Sequence, residues 1–227
     1  MSRAEDLELR QDVLEELEFD PSVDARTIGV SVEEGIVTLT GHVASYAERT
    51  SAEKIVKRVT GVEGVANELG VSLPALAERD DTDIARSAAN ALEWNASIPR
   101  DRIKASVTKG WITLDGDVDW HYQKRAAEDT VRNLTGVRGV TNKVDVTPKD
   151  ARVGDIKEKI MASLRRTAEV DAKRIDVEAS DGTVTLSGTV SSWGEREDAV
   201  NAAWSAPGVN SVVDHIRVQP PHHHLPA

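Results

Sequence analysis

One seven-residue phrase occurs three times in this chain: Gly35-Ile-Val-Thr-Leu-Thr-Gly41, Gly110-Trp-Ile-Thr-Leu-Asp-Gly116 and Gly182-Thr-Val-Thr-Leu-Ser-Gly188. The occurrences are 75 and 72 residues apart, so the 227 residues do not build one large core but one small unit, three times over. The same offsets connect Leu17, Leu92 and Leu164, and also Ile28, Ile103 and Ile175. They connect the Gly-Val pairs at 61–62, 136–137 and 208–209, and then Asn67, Asn142 and Asp214. Polar, proline-bearing stretches around Pro74 and Pro148 separate the copies, as linkers do. The expected domains are residues 1–74, 78–147 and 151–219, with a flexible tail at 220–227.

Each copy reads α-β-β-α-β. Leu9, Val13 and Leu17 recur at every fourth residue, matched by Ile84, Ala88 and Leu92 and by Ile156, Ile160 and Leu164, which gives a first helix one apolar face. Val23, Ile98 and Val170 supply an apolar anchor in the loop that follows. Ile28, Val30 and Val32 then alternate with polar residues, as do Ile175, Val177 and Ala179. Glu34-Gly35, Lys109-Gly110 and Asp181-Gly182 read as tight hairpin turns. In the second strand Val37 and Leu39, Ile112 and Leu114, and Val184 and Leu186 face the core, while Thr38, Thr113 and Thr185 face away. Gly41, Gly116 and Gly188 close that strand at a bend or a close backbone approach. A second helix carries Ala52 and Val56, Ala127 and Val131, and Ala199 and Ala203 inward, and a third strand runs from Val65 to Val71 and its equivalents. The expected fold is α+β: three tandem α-β-β-α-β domains, each a three-stranded mixed sheet with two helices packed on one face.

With this element order, these apolar positions and the G-x-V/I-T-L-x-G phrase, the chain resembles the BON domain family found in osmotically inducible bacterial proteins. The resemblance implies a protein without enzymatic activity or cofactor. It implies binding to a phospholipid membrane or to envelope components in osmotic or envelope stress protection, and an envelope location. The competing reading is a soluble protein-interaction or chaperone-like stress module that binds a protein client and no lipid. The N-terminus, Met1-Ser-Arg-Ala-Glu-Asp-Leu, has no apolar leader-like run, so a cytoplasmic place is expected for the chain as it stands. A periplasmic place is expected if a leader has been trimmed. The residues leave the oligomeric state open.

Composition narrows the chemistry. Without cysteine there are no disulfides, thiolate metal sites or thiol nucleophiles, and no run of about 18 apolar residues offers a spanning helix. The net charge of −11 is uneven: residues 1–75 hold 7 Lys/Arg against 15 Asp/Glu, whereas 76–150 hold 12 against 13 and 151–227 hold 9 against 11. An acidic chain without a basic stripe is unsuited to nucleic acid. Gly61-Val-Glu-Gly64 and Gly136-Val-Arg-Gly139 mimic the GxxG loop of KH domains, but they connect a helix to a strand, and a helix C-cap explains them.

The five tryptophans, Trp94, Trp111, Trp120, Trp193 and Trp204, all lie in the second and third copies. Trp120, His121 and Tyr122 stand at the turn into the second helix, where copy one has Tyr46 and copy three has Trp193. Such rings sit at lipid headgroup depth, close one end of a core, or pack on the next copy. Trp111 is placed on the sheet face away from the helices. Arg49, Lys124 and Arg196 set a cation early in each second helix, either on a solvated face or beside anionic lipid. The candidate lipid or partner contacts are therefore Trp111, Trp120, Tyr122, Trp193, Lys124 and Arg196. Asn67, Asn142 and Asp214 fall on the inward parity of the third strand and are expected to bond loop or strand-edge backbone. No recurrent catalytic set is present and no metal site is expected, beyond weak affinity in the His222-His223-His224 tail.

Overall fold

A computed structural model describes residues 3–148, 156–166 and 174–219, which build the same unit three times. Copy one comprises α1 (Arg3–Phe19), β1 (Ile28–Glu33), β2 (Ile36–Val43), α2 (Tyr46–Arg58), β3 (Gly64–Asn67) and β4 (Gly70–Val71). Copy two comprises α3 (Asp81–Trp94), β5 (Ile103–Thr108), β6 (Trp111–Val118), α4 (His121–Arg132), β7 (Gly139–Asn142) and β8 (Asp145–Val146). Copy three comprises α5 (Ile156–Arg166), β9 (Ile175–Ser180), β10 (Thr183–Val190), α6 (Trp193–Trp204) and β11 (Ser211–Val218). Val170, the linker beyond Pro148 and the histidine-bearing tail lie outside the described residues.

The repeated phrase is the middle strand of each sheet. It pairs antiparallel with the first strand and parallel with the third, so the sheets are mixed. The third strand is unbroken in copy three but appears as two segments in copies one and two. The register is unchanged across the interruption: Leu39 faces Asn67 and His42 faces Gly70, Leu114 faces Asn142 and Asp117 faces Asp145. Leu186 faces Asp214 in the same way.

Each hairpin turn has two successive residues at positive φ, such as Asp181 at 49° and Gly182 at 81°, which matches the strand twist. In copies one and two the turn's backbone N–H groups are taken up by the first helix. Asp6 accepts from Glu34 and Gly35 (both 3.1 Å), and Asp81 accepts from Lys109 and Gly110 (2.7 and 2.8 Å). At the far end of the strand, Gly41, Gly116 and Gly188 have φ of 110°, 138° and 129°. A Cβ there would collide with the backbone carbonyl of Thr27, Arg102 or Arg174, so only glycine lets the first strand enter this closely.

The core positions read from the sequence are buried: Val13 and Leu17 from α1, Val37 and Leu39 from β2, and Ala52 and Val56 from α2, with their equivalents in the other copies. The small alanines let each second helix lie directly on its sheet. Of the other inward positions, Val32, Val65, Val71, Ile103 and Val212 are half-buried and Ala179, at the end of β9, is exposed. Leu114 is fully buried, so Leu114→Ala should lose about 2–5 kcal/mol in urea or thermal melts, whereas Thr113→Ala on the outer face should change little. Equal melts for the two variants would contradict the inward placement of Leu114.

Candidate functional site

The start of each second helix is where the copies meet. Ser45 caps α2 by accepting from the Glu48 backbone (3.1 Å), and Ser192 caps α6 by accepting from Glu195 (3.2 Å). Copy two has Trp120 at this position and lacks the hydroxyl. Only Gln123 remains to close the cap, accepting from the Asp119 and Trp120 backbones (3.1 and 3.0 Å). Losing a serine cap costs a helix about 1 kcal/mol. The indole that replaces it stays 38% exposed, beside Tyr122 at 59%.

The residue after the cap, Tyr46, His121 or Trp193, leaves its own copy. Tyr46 is buried in the core of copy two, and this burial, with Glu128, raises its phenol pKa against the opposing effects of Arg49, the Val140 backbone and Arg132. His121 stacks on Trp204 of copy three, ring centroids 4.1 Å apart and 8° from parallel. Arg125 supports that joint through Asn201 (2.7 Å) and Glu197 (3.2 Å). Trp193 packs against the core of copy one and donates from Nε1 to the Val62 carbonyl (3.1 Å). Lys57 of copy one lies 5.1 Å and Arg196 of the same helix 4.8 Å from its ring, so two cations lie close over the indole. The residues these rings meet, Lys57, Arg132 and Trp204, share one repeat position as well. Each copy thus leans on the next and the third leans on the first, closing a ring of three.

The sequence-derived candidates divide accordingly. Trp193 lies in the joint between copies three and one, and Arg196, beside it in copy three, donates to Asp214 (2.8 Å). Trp111 lies on the outer sheet face, over Gly139, and donates to Thr141 Oγ1 (2.8 Å). It is at the opposite end of β6 from Trp120, roughly 25 Å of strand away, and does not join it. Trp120, Tyr122 and the half-buried Lys124 remain together at the start of α4. Trp120 and Tyr122 line a groove of about 460 Å³ between copies two and three, with His121, Arg125, Asp129 and Trp204 among its other walls. His121 and Trp204 are legible in the sequence, at the helix entry and among the five tryptophans, but are not among its candidate contacts; the signal for His121 was the aligned column Tyr46, His121 and Trp193, and Arg125 had none.

The inward polar residues are structural, as expected. Asn67 accepts from Leu69 N–H (3.2 Å) and donates to the Arg49 carbonyl and Glu53 (both 3.2 Å). Asn142 repeats this with Val144, Lys124 and Glu128 (3.2, 2.9 and 3.2 Å). Copy three has Val200 where the others have glutamate, and there the polar residue is Asp214, which takes the Ile216 N–H (2.9 Å) and the Arg196 side chain. Among the described residues no group of three or more His, Cys, Asp or Glu is placed to hold a metal, and no helix is long and apolar enough to cross a membrane.

The BON domain profile matches residues 5–72, 80–148 and 152–220, so the chain belongs to the BON domain family, with three copies in tandem. Osmotically-inducible protein Y of Escherichia coli strain K12 is 28% identical over 195 residues, covering 81% of this chain and 93% of that protein. Two structures of CdsD, described as a structural protein of the type III secretion system of Chlamydia trachomatis, align at 15% identity with a TM-score of 0.27. One covers 97% of this chain and 100% of its own, and the other, a C-terminal domain, covers 94% and 98%.

Burial, with Arg125 and Lys124 nearby, pushes the His121 pKa down to about 4. The unfolded ring takes a proton near pH 6.5 and the folded one does not, so His121's contribution is complete above about pH 6.5 and lost as pH falls toward 4. An NMR titration of the His121 ring checks this, and a midpoint near 6.5 would mean an open joint. Trp193→Ala removes the ring packing, the hydrogen bond and the Lys57 cation contact between copies three and one. Small-angle scattering should then show a larger radius of gyration, with the far-ultraviolet dichroism of the folded copies retained; an unchanged radius would contradict the closed ring.

Proposed function

We propose that the protein is a non-catalytic, osmotic-stress-related BON protein that docks on a phospholipid membrane or another envelope component. The observation that carries the reading is the start of α4, where Trp120 replaces a serine cap and remains exposed beside Tyr122. An apolar ring with a polar edge is suited to the headgroup layer, and Lys124 sets a cation one turn along the same helix. Membership of the BON family and the likeness to an osmotically-inducible protein support the stress role, and an envelope location is part of the proposal. Copies two and three are the better face toward anionic lipid, because copy one carries the acid surplus of 15 Asp/Glu against 7 Lys/Arg.

That same surplus favours a second reading, a soluble module that binds a protein client, with Phe19 at 84% exposure as an apolar contact on the acidic copy. Co-sedimentation with anionic and zwitterionic vesicles at low salt separates the two. Binding with a blue shift of tryptophan emission is the expected result for membrane docking. Absence of binding to both vesicle types would sink the lipid reading and leave the client-binding one.

A further inference from the structure

Three joints built from the same positions provide an internal control. Beside the docked ring, copy one has Ser45 and Ala47 and copy three has Ser192 and Gly194. Those joints close with small residues, so bulk is not needed there. Copy two carries Trp120 and Tyr122 instead, and the position that receives the docked ring is Lys57 in copy one and Arg132 in copy two but Trp204 in copy three. One joint has therefore gathered two aromatic rings, Trp120 and Tyr122, beyond what its closure requires, beside the Trp204 ring on which His121 stacks.

These rings line a single groove whose volume, about 460 Å³, is that of a small-molecule site. Its charged walls are Arg125 and Asp129, one turn apart on α4. Aromatic faces attract an alkylammonium group within about 6 Å without requiring a hydrogen bond, and a neighbouring carboxylate adds to that attraction. Arg125 has five N–H donors, of which Asn201 and Glu197 engage only part, so it can also receive an anionic group. We infer that the groove between copies two and three binds a small zwitterion, its alkylammonium end against Trp120, Tyr122 and Trp204 and its phosphate or carboxylate end at Arg125. The site deepens the membrane reading and rests on it for one source of this chemistry, a phospholipid headgroup; the other source is a free solute.

Titration of the full chain with phosphocholine and with trimethylglycine, followed by tryptophan fluorescence and calorimetry, tests the inference. Saturable binding is expected, with tetramethylammonium or acetate alone, each bearing one pole, weaker by on the order of 10-fold. Trp120→Ser with Tyr122→Ala installs the residues with which copy one closes its own joint, and should weaken binding by about 10-fold or more. Tyr122→Ala alone, at a largely exposed ring, gives the same readout with the least effect on folding. Phosphocholine binding together with phosphatidylcholine vesicle binding, both lost in the double variant, supports the site with a headgroup as its ligand. Trimethylglycine binding without any vesicle response supports the site with a free solute as its ligand, and counts against the membrane reading alone. Vesicle binding that survives the double variant, with no response to either free ligand, overturns the site and leaves membrane docking standing. No saturable response to any of these probes overturns it as well.

Discussion

The molecule depends on one repeated contact: the first residue of each second helix packs on the next copy rather than into its own core. Tyr46, His121 and Trp193 occupy the same repeat position, and the positions that receive them, Arg132, Trp204 and Lys57, are equivalent too. A head-to-tail contact of this kind either propagates or closes, according to the rotation it imposes. Here Trp193 reaches the Val62 carbonyl, 131 residues away in sequence, and three copies close the ring. A unit of about 70 residues has a marginal core by itself. The joints add burial that no single copy supplies, since Tyr46 belongs to the core of copy two and Trp204 touches the cores of copies two and three.

The three contacts share a geometry but not a chemistry. The first is a buried phenol, the second an aromatic stack backed by Arg125, and the third an indole with two cations close over it. A repeated scaffold can vary in this way because each position needs only a flat side chain that tolerates burial on one side. The flanking positions are less constrained still, and there copy two departs furthest from its siblings. The polar pairs under the second helices vary under stricter rules. Where Glu53 and Glu128 give way to Val200, asparagine gives way to aspartate and the donor becomes Arg196, so every inward polar atom of that residue keeps a partner.

The proposed site follows from this division between what the ring needs and what it does not. Trp193 is used in closure, and Arg196 is taken up beside it by the indole and Asp214. Trp111 fills the space above Gly139, as Ile36 does above Gly64. Trp120 and Tyr122 serve neither purpose, and they border a groove that exists only because copies two and three are held together.

The sequence alone determined the unit. Helical and strand periodicity, turn glycines and two fixed offsets specify three α-β-β-α-β domains and most of their buried residues, because each of those choices is local and is made three times over. It also marked the aromatics as the place where the copies differ. Which aromatics are free was decided only by tertiary structure. Trp120 and Trp193 look alike in the chain, both at the entry to a second helix, yet a one-residue difference in register puts one at a cap facing solvent and the other in a joint. Helical geometry turns one residue into about 100° of direction, and only the packing of the neighbouring copy decides which direction is covered.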